Sequence, residues 1–228
     1  MDQNGATDSA LGLRERKKLI TRTAILEAAR TMFAERGYDN VTVVQIAEAV
    51  NLSANTVFGY FPAKEDLVFD RAIEVREMMV NRIRNRPVGH TPLRAMVAAI
   101  RELLSAWEAE PDDDHERMLQ IVDASLTLRS RMPVLWDRFE QALAEALAEE
   151  AGEGPHAPRP SVVAAQLTLI FRMMASERFL RYVRSHAEPA QRDALEEWLA
   201  VIVELVGGGI ADYAPRLDDS HAMPPVTT

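Results

Sequence analysis

The 228-residue sequence contains no cysteine, which excludes disulfide bonds and thiolate metal sites and is compatible with a reducing cytosol. It also has no run of about 18 uncharged apolar residues, the length that a membrane-spanning helix needs. The first residues lack a basic segment followed by an apolar one, which a secretory signal would show. We therefore expect a cytoplasmic protein with neither a membrane span nor a signal peptide.

Motifs of common catalytic sites are missing as well. The sequence has no HExxH zinc motif, no glycine-rich phosphate loop and no GxSxG turn, and its five histidines are scattered. No alternation of polar and apolar residues predicts a β-strand. We therefore expect an all-α protein that is not an enzyme and that needs neither a metal ion nor another cofactor.

What the sequence does contain is helical periodicity, interrupted by proline, glycine and capping residues. About nine helices are predicted, at residues 13–36, 43–50, 54–61, 64–86, 93–109, 115–129, 133–150, 161–185 and 190–206. In this interpretation Pro133 opens the seventh helix, because proline is tolerated in the first turn of a helix but not in its interior.

Residues 42–64 predict two short helices joined by a tight turn. Thr42 and Gln45 have the spacing of a capping box at the start of the first helix. Asn51 suits the left-handed backbone of the turn, Ser53 caps the second helix, and Pro62 ends it. This is a helix-turn-helix, whose second helix normally enters the major groove of DNA, although similar hairpins occur in helical proteins that never bind DNA.

The charge is distributed unevenly along the chain. The net charge is −9, yet residues 1–64 carry eight Lys and Arg against seven Asp and Glu, while the remainder carries 18 against 28. Most of the positive charge before the helix-turn-helix lies between Arg14 and Arg22. We expect this basic arm to contact phosphates or a minor groove, the alternative being a solvated helix start.

Several residues of this region together form a pattern: Phe33, Gly37, Thr42, Ile46, Ala47, Ser53, Thr56, Tyr60, Phe61, and Lys64 with the three residues that follow it. The pattern resembles the DNA-binding domain of the TetR (tetracycline repressor) family over roughly residues 14–70. Two positions depart from it, since Asn51 stands where the turn usually has glycine and Gly59 where the second helix usually has a larger side chain. The resemblance implies a transcription regulator, most often a repressor, that binds palindromic DNA as a homodimer.

The predicted DNA-binding residues follow from the motif and the resemblance. They are Arg14, Lys17, Lys18, Thr42, Val44, Ser53, Ala54, Asn55, Thr56, Gly59, Tyr60 and Lys64. We expect Asn55 and Ala54 to face base edges, and Thr42, Thr56, Tyr60 and Lys64 to bind phosphates.

The resemblance also implies a division of the chain. Residues 1–12 are a disordered leader to the basic arm, 13–63 the helix-turn-helix domain, 64–210 a helical effector-binding and dimerisation domain, and 211–228 a disordered tail. Helices 161–185 and 190–206 are expected to pair with those of a second copy in a four-helix bundle, because both carry more apolar surface than one copy needs. The alternative is that they only form core.

A small-molecule effector is expected among the central helices. The predicted ligand-binding residues are Trp107, Met118, Val122, Ser125, Arg129, Trp136 and Arg172. Arg172 interrupts an apolar helix, and a buried arginine requires an anion, either a protein carboxylate or a carboxylated or phosphorylated ligand. The run Arg131, Met132 and Pro133 resembles a TetR subgroup that senses acyl-CoA-like molecules, so the effector is expected to be hydrophobic or acyl-CoA-like.

Two other functions remain compatible with the sequence. The chain could be a non-specific or architectural DNA-binding protein without an effector, or an all-helical module that binds another protein. An activator also remains open beside a repressor. In the favoured interpretation the protein is associated with the nucleoid.

Overall fold

A computed structural model of the chain describes residues 12–109, 114–154 and 156–215, apart from the side chains of residues 107–109 and 114. These residues form ten α-helices and no β-strand, which confirms the predicted all-α class. The helices are α1 Leu13–Arg36, α2 Val43–Ala49, α3 Ala54–Tyr60, α4 Asp66–Arg84, α5 Pro92–Ala109, α6 Asp114–Ala124, α7 Leu126–Ala151, α8 Pro158–Met174, α9 Glu177–Arg184 and α10 Glu188–Ile202. No described helix is both long and apolar enough to cross a membrane.

The first compact unit comprises the residues up to Arg71 together with Arg117–Ser130. Its core contains side chains from the first three helices, among them Ile25, Phe33, Ile46, Ala47 and Val57, each at most 2% exposed. The small side chain of Ala47, which is 1% exposed, suits a close crossing of helices. This core holds α2 and α3 in a fixed arrangement and leaves their outer faces to solvent.

The second compact unit comprises Ala72–Glu116 and the residues from Arg131 onward. Its core draws at least one fully buried side chain from each of five helices: Met79, Met96, Leu143, Leu167 and Leu199. Helix α4 contributes residues to both units, because the boundary after Arg71 falls inside its span. The chain therefore passes from one unit to the other without leaving a helix.

The predicted helix start at Pro133 is wrong. The break lies at Ser125, and Pro133 is inside α7. The Oγ of Ser125 accepts a hydrogen bond from the backbone N–H of Leu128 at 3.4 Å, which caps the new helix. A proline in a helix interior costs about 3 kcal/mol, and burial of Leu128 and Leu135 on either side of it supplies the compensation.

The single helix predicted at residues 161–185 is two helices, and this accounts for ten α-helices where about nine were expected. Ala175 and Ser176 separate α8 from α9. The hydroxyl of Ser176 accepts a hydrogen bond from the N–H of Phe179 at 3.3 Å and donates one to the carbonyl of Met173 at 2.7 Å. Serine therefore caps a new helix here and does not continue the old one.

The termini are described only in part. Residues 1–11 of the predicted leader and residues 216–228 of the predicted tail lie outside the described part of the chain. The beginning of the tail differs from the prediction of disorder, because Tyr213 packs against the core of the second unit and the carbonyl of Ala214 accepts a hydrogen bond from Arg86. The C-terminal helix is extended by a π-helical turn, Val203–Gly207, and a 3₁₀ turn, Gly208–Ile210.

Candidate nucleic-acid interface

The start of α2 and the turn after it have the predicted geometry. The backbone N–H of Gln45 donates to the hydroxyl of Thr42 at 3.3 Å, and the N–H of Thr42 donates to the Gln45 side chain at 2.9 Å, which confirms the capping box. Asn51 has φ of 55°, and the N–H of Leu52 donates to the carbonyl of Ala47 at 2.9 Å. The turn is thus closed by backbone hydrogen bonds, with asparagine in the left-handed conformation.

Helix α3 presents a polar outer face. The hydroxyl of Ser53 accepts a hydrogen bond from the N–H of Thr56 at 3.1 Å, and the two hydroxyls lie 2.8 Å apart. Val57 is buried, so the helix has one orientation only. This orientation exposes Asn55, Thr56 and Gly59 to solvent. It leaves Ala54 and Tyr60 half-buried. A surface of amide and hydroxyl groups on a fixed helix is suited to hydrogen bonds with base edges and phosphates.

Phe58 is a residue of this face that the sequence analysis does not predict. Its side chain is 44% exposed, and on α2 the side chain of Val44 is 53% exposed. Apolar side chains on a DNA-reading helix suit contact with the methyl group of thymine. The signal was present in the sequence, since Phe58 follows Asn55 by three residues and so lies on the same face of the helix.

The basic residues before the motif belong to a helix. Arg14, Lys17 and Lys18 are exposed in the first two turns of α1, where their spacing places them on one face. Arg22 has another role, because its guanidinium donates to the Asp70 carboxylate at 2.8 Å in a part-buried ion pair. The cationic surface available to phosphates therefore lies toward the start of α1, on a helix and not on a flexible arm.

Lys64 is half-buried in the first unit and does not open a helix. It precedes α4, which begins at Asp66. Its ammonium group donates to the carbonyl of Tyr38 at 2.6 Å and lies 3.9 Å from the centre of the Tyr38 ring. Burial lowers the pKa of Lys64, and the carboxylates of Asp39 and Glu65 partly offset this shift. The lysine thus ties α4 to the loop after α1, which differs from the predicted role of a residue facing phosphate.

Four of the predicted ligand-binding residues lie in the first unit. Val122 is buried, Met118 is half-buried and Arg129 is exposed. Ser125 is 2% exposed and donates a hydrogen bond to the Asp39 carboxylate at 3.0 Å. The buried hydroxyl of Ser125 is therefore satisfied by a protein partner and needs no ligand.

The other three predictions have different outcomes. The expectation of a buried Arg172 is wrong, because this residue is exposed in the last turn of α8, where a cation suits the negative end of the helix dipole. Trp136 is half-buried in the second unit, with the guanidinium of Arg76 4.2 Å from the centre of its ring. The side chain of Trp107 lies outside the described residues. Within the described ranges, no group of three His, Asp or Glu residues is placed to hold a metal ion.

Comparison with known proteins identifies relatives of both parts of the chain. Residues 25–70 match the family described as "Bacterial regulatory proteins, tetR family". The HTH-type transcriptional regulator TcmR of Streptomyces glaucescens is 30% identical over 182 residues, which are 77% of this chain and 80% of that protein. The HTH-type transcriptional repressor KstR of Rhodococcus jostii is 27% identical over 46% of this chain and 50% of its own length.

A similar fold occurs among solved structures. The structure of NalD, the secondary repressor of the MexAB-OprM multidrug efflux pump in Pseudomonas aeruginosa, aligns with a TM-score of 0.52. The alignment covers 82% of this chain and 96% of NalD, at 21% sequence identity. At that identity the similarity concerns the fold alone.

Proposed function

Because this chain belongs to the TetR family and is therefore a DNA-binding transcriptional regulator, we propose that it is a repressor that binds a palindromic operator as a homodimer. It acts in the cytoplasm at the nucleoid, performs no catalysis, and leaves its operator when a small-molecule effector binds. The observation that carries the proposal is the fixed polar face of α3, with Asn55, Thr56 and Gly59 exposed.

In this proposal different residues of the first unit contact the bases and the phosphates of DNA. Asn55 reads a base edge, with Ala54 and Phe58 beside it making apolar contacts. Thr42 and Thr56 bind phosphates near the helix starts, and Lys17 and Lys18 add affinity without sequence preference. Lys64 acts indirectly, by fixing the start of α4 against Tyr38.

Dimerisation is proposed to use α8 and α10, within the ranges 161–185 and 190–206 predicted from the sequence. Apolar side chains that one copy leaves exposed support this, namely Val162 on α8, Val201 on α10 and Leu205 in the turn after it, at 59%, 47% and 76% exposure. A second copy would cover them and gain their hydrophobic stabilisation. Binding to a palindrome then requires the two recognition helices to lie about 34 Å apart, one turn of DNA.

The effector is proposed to bind among the helices of the second unit and to act through α4. This helix begins six residues after the end of α3 and continues to Arg84, so a shift of α4 would change the separation of the two recognition helices. A coupling of about 1–3 kcal/mol would change operator affinity by about 5- to 150-fold. The effector class expected from the resemblance is hydrophobic or acyl-CoA-like.

The test is binding to duplexes selected from a random pool, followed by fluorescence anisotropy with the best palindrome. Asn55→Ala should weaken binding by about 1–3 kcal/mol, because the side-chain amide no longer pairs with a base. Asn85→Ala is the matched control, since this exposed asparagine bonds only to the carbonyl of Asn81 and lies outside the motif. A duplex with one half-site should bind far more weakly than the palindrome.

Three outcomes would contradict the proposal. Equal affinity for all duplexes would favour a non-specific DNA-binding protein, and no salt-sensitive binding to DNA would favour a protein-interaction module. An equal loss of operator affinity in Asn55→Ala and Asn85→Ala would show that α3 does not contact the DNA.

A further inference from the structure

In the second unit, three of the five N–H groups of one buried arginine have no hydrogen-bonding partner among the described residues. Arg76 lies in the middle of α4 and is 7% exposed. Its Nε and Nη1 atoms are buried, and no acceptor among the described residues lies within hydrogen-bonding distance of either atom. Nε carries one hydrogen and Nη1 carries two.

Such an arrangement is costly unless something else satisfies the cation. Bulk solvent does not reach these two nitrogens, and proteins almost always pair buried charges. Burial lowers the pKa of Arg76 to about 10, and no acidic neighbour offsets that shift. Because this pKa stays well above 7, the guanidinium remains cationic near neutral pH.

An aromatic ring beside Arg76 partly compensates for the burial of its charge. The guanidinium carbon of Arg76 lies 4.2 Å from the centre of the Trp136 ring, within the range of a cation–π interaction. Trp136 contacts Phe139 and Phe171 with ring centres 6.3 and 6.1 Å away, so the cation borders a cluster of three aromatic rings. A cation–π contact engages the face of the guanidinium and leaves its in-plane N–H groups free to bind an anion.

We propose that Arg76 and Trp136 form the anion-recognising part of the effector site, and that the effector is an aromatic carboxylate. The unpaired N–H groups can donate to a carboxylate oxygen, and an aromatic ring attached to the carboxylate would pack against Trp136. The inference rests on the proposed function for the existence of an effector. It adds the ligand's chemical class and places the site on α4, the helix that follows the recognition helix.

The experiment measures ligand binding without DNA, so that its result is independent of operator binding. Isothermal titration of the full-length protein with sodium 2-naphthoate is compared with 2-naphthamide, a neutral molecule of nearly the same shape. Wild-type protein should bind the carboxylate at least tenfold more tightly than the amide, and tryptophan emission should change on binding because Trp136 borders the site.

Variants test whether Arg76 causes the preference for the carboxylate over the amide. Arg76→Met should bind both probes with equal affinity, and Arg76→Lys should keep part of the preference, because it retains the charge without the planar pair of donors. Arg101→Met is the control, since Arg101 is an exposed arginine that pairs with Glu196 at 3.0 Å. Circular dichroism and operator affinity verify that each variant is folded.

The proposal is overturned if wild-type protein does not prefer 2-naphthoate, or if Arg76→Met retains the preference. Operator binding is measured on the same samples. Loss of operator binding in all of them would contradict the proposed function, whereas intact operator binding without a carboxylate preference would contradict only the assignment of Arg76.

Discussion

Among the described residues of the second unit two arginines are buried, and their surroundings are opposite. Arg86 is 1% exposed and all five of its N–H groups have acceptors. Its Nε donates to the carbonyl of His90, and its two terminal nitrogens donate to the Glu150 carboxylate and to the carbonyls of Ile83 and Ala214, at distances of 2.7–2.9 Å. Arg76, ten residues earlier, is buried with Nε and Nη1 unpaired.

The difference shows that burial alone does not assign a role to a charged residue. Every N–H group of Arg86 has an acceptor within the protein, so this arginine needs no ligand. Its hydrogen bonds join the end of α4 to α7 and to the residues after α10. Arg76 stacks on an aromatic ring, and its Nε and Nη1 have no acceptor in the part of the chain that the structure describes. A fully bonded buried arginine contributes to stability, whereas an incompletely bonded one is a candidate for binding.

The largest expected effect is that of Arg86→Met on stability. The substitution leaves Glu150 and three carbonyl groups without their donor, and we expect the free energy of unfolding to fall by about 3 kcal/mol. Urea unfolding followed by circular dichroism measures this. Arg84→Met is the control, because Arg84 forms an exposed ion pair with Glu149 at 3.5 Å, worth less than about 1 kcal/mol. Equal losses in the two variants would contradict the comparison.

A smaller effect is expected for Glu150→Gln. The glutamine keeps the size of the side chain but removes its charge and places an N–H₂ group opposite the Arg86 donors. Loss of a charge-assisted hydrogen bond costs about 1.5–3 kcal/mol, and partial exposure of Glu150 favours the lower end of that range. The same unfolding experiment measures it, with Glu149→Gln as the exposed control. An unchanged midpoint in Glu150→Gln would show that the carbonyl acceptors alone hold Arg86.

The smallest expected effect on stability is that of Arg76→Met. The variant loses a cation–π contact worth up to about 2 kcal/mol, but it also removes unpaired buried donors that cost about 1–3 kcal/mol. We therefore expect the free energy of unfolding to change by less than about 1 kcal/mol, or to increase. A loss close to that of Arg86→Met would mean that Arg76 has a structural role, and the difference between the two arginines would disappear.

Local features of the DNA-binding motif could be predicted from the sequence because they depend on residues a few positions apart. The capping box of Thr42 and the Ser53 cap join neighbours along the chain, and the positive φ of Asn51 is a property of that residue type in a tight turn. The family resemblance covered the same region. The outward position of Phe58 was equally local, because Phe58 lies three residues after Asn55 on the same face of α3.

The rule that identifies a candidate anion-binding arginine could be stated from the sequence, but the residue that satisfies it could not be located. The rule that a buried arginine needs an anion was sound, but it was applied to Arg172, which is exposed. Arg76 gives the same kind of signal, since it follows Ile73 by three residues and precedes Met79 by three on the apolar stripe of α4. Periodicity finds the stripe on each helix, but it does not tell which stripe other helices cover.

By itself the sequence determined the all-helical class, the helix-turn-helix and its caps, and the family, because these depend on short-range chemistry and on a compact set of matching residues. Only the tertiary structure decided that Pro133 lies within a helix, that Lys64 is bound to Tyr38, and that Arg86 is fully bonded while Arg76 is not. Those outcomes depend on contacts between residues far apart in the chain. Packing between distant segments decides which side chains lose water and which of them find a partner.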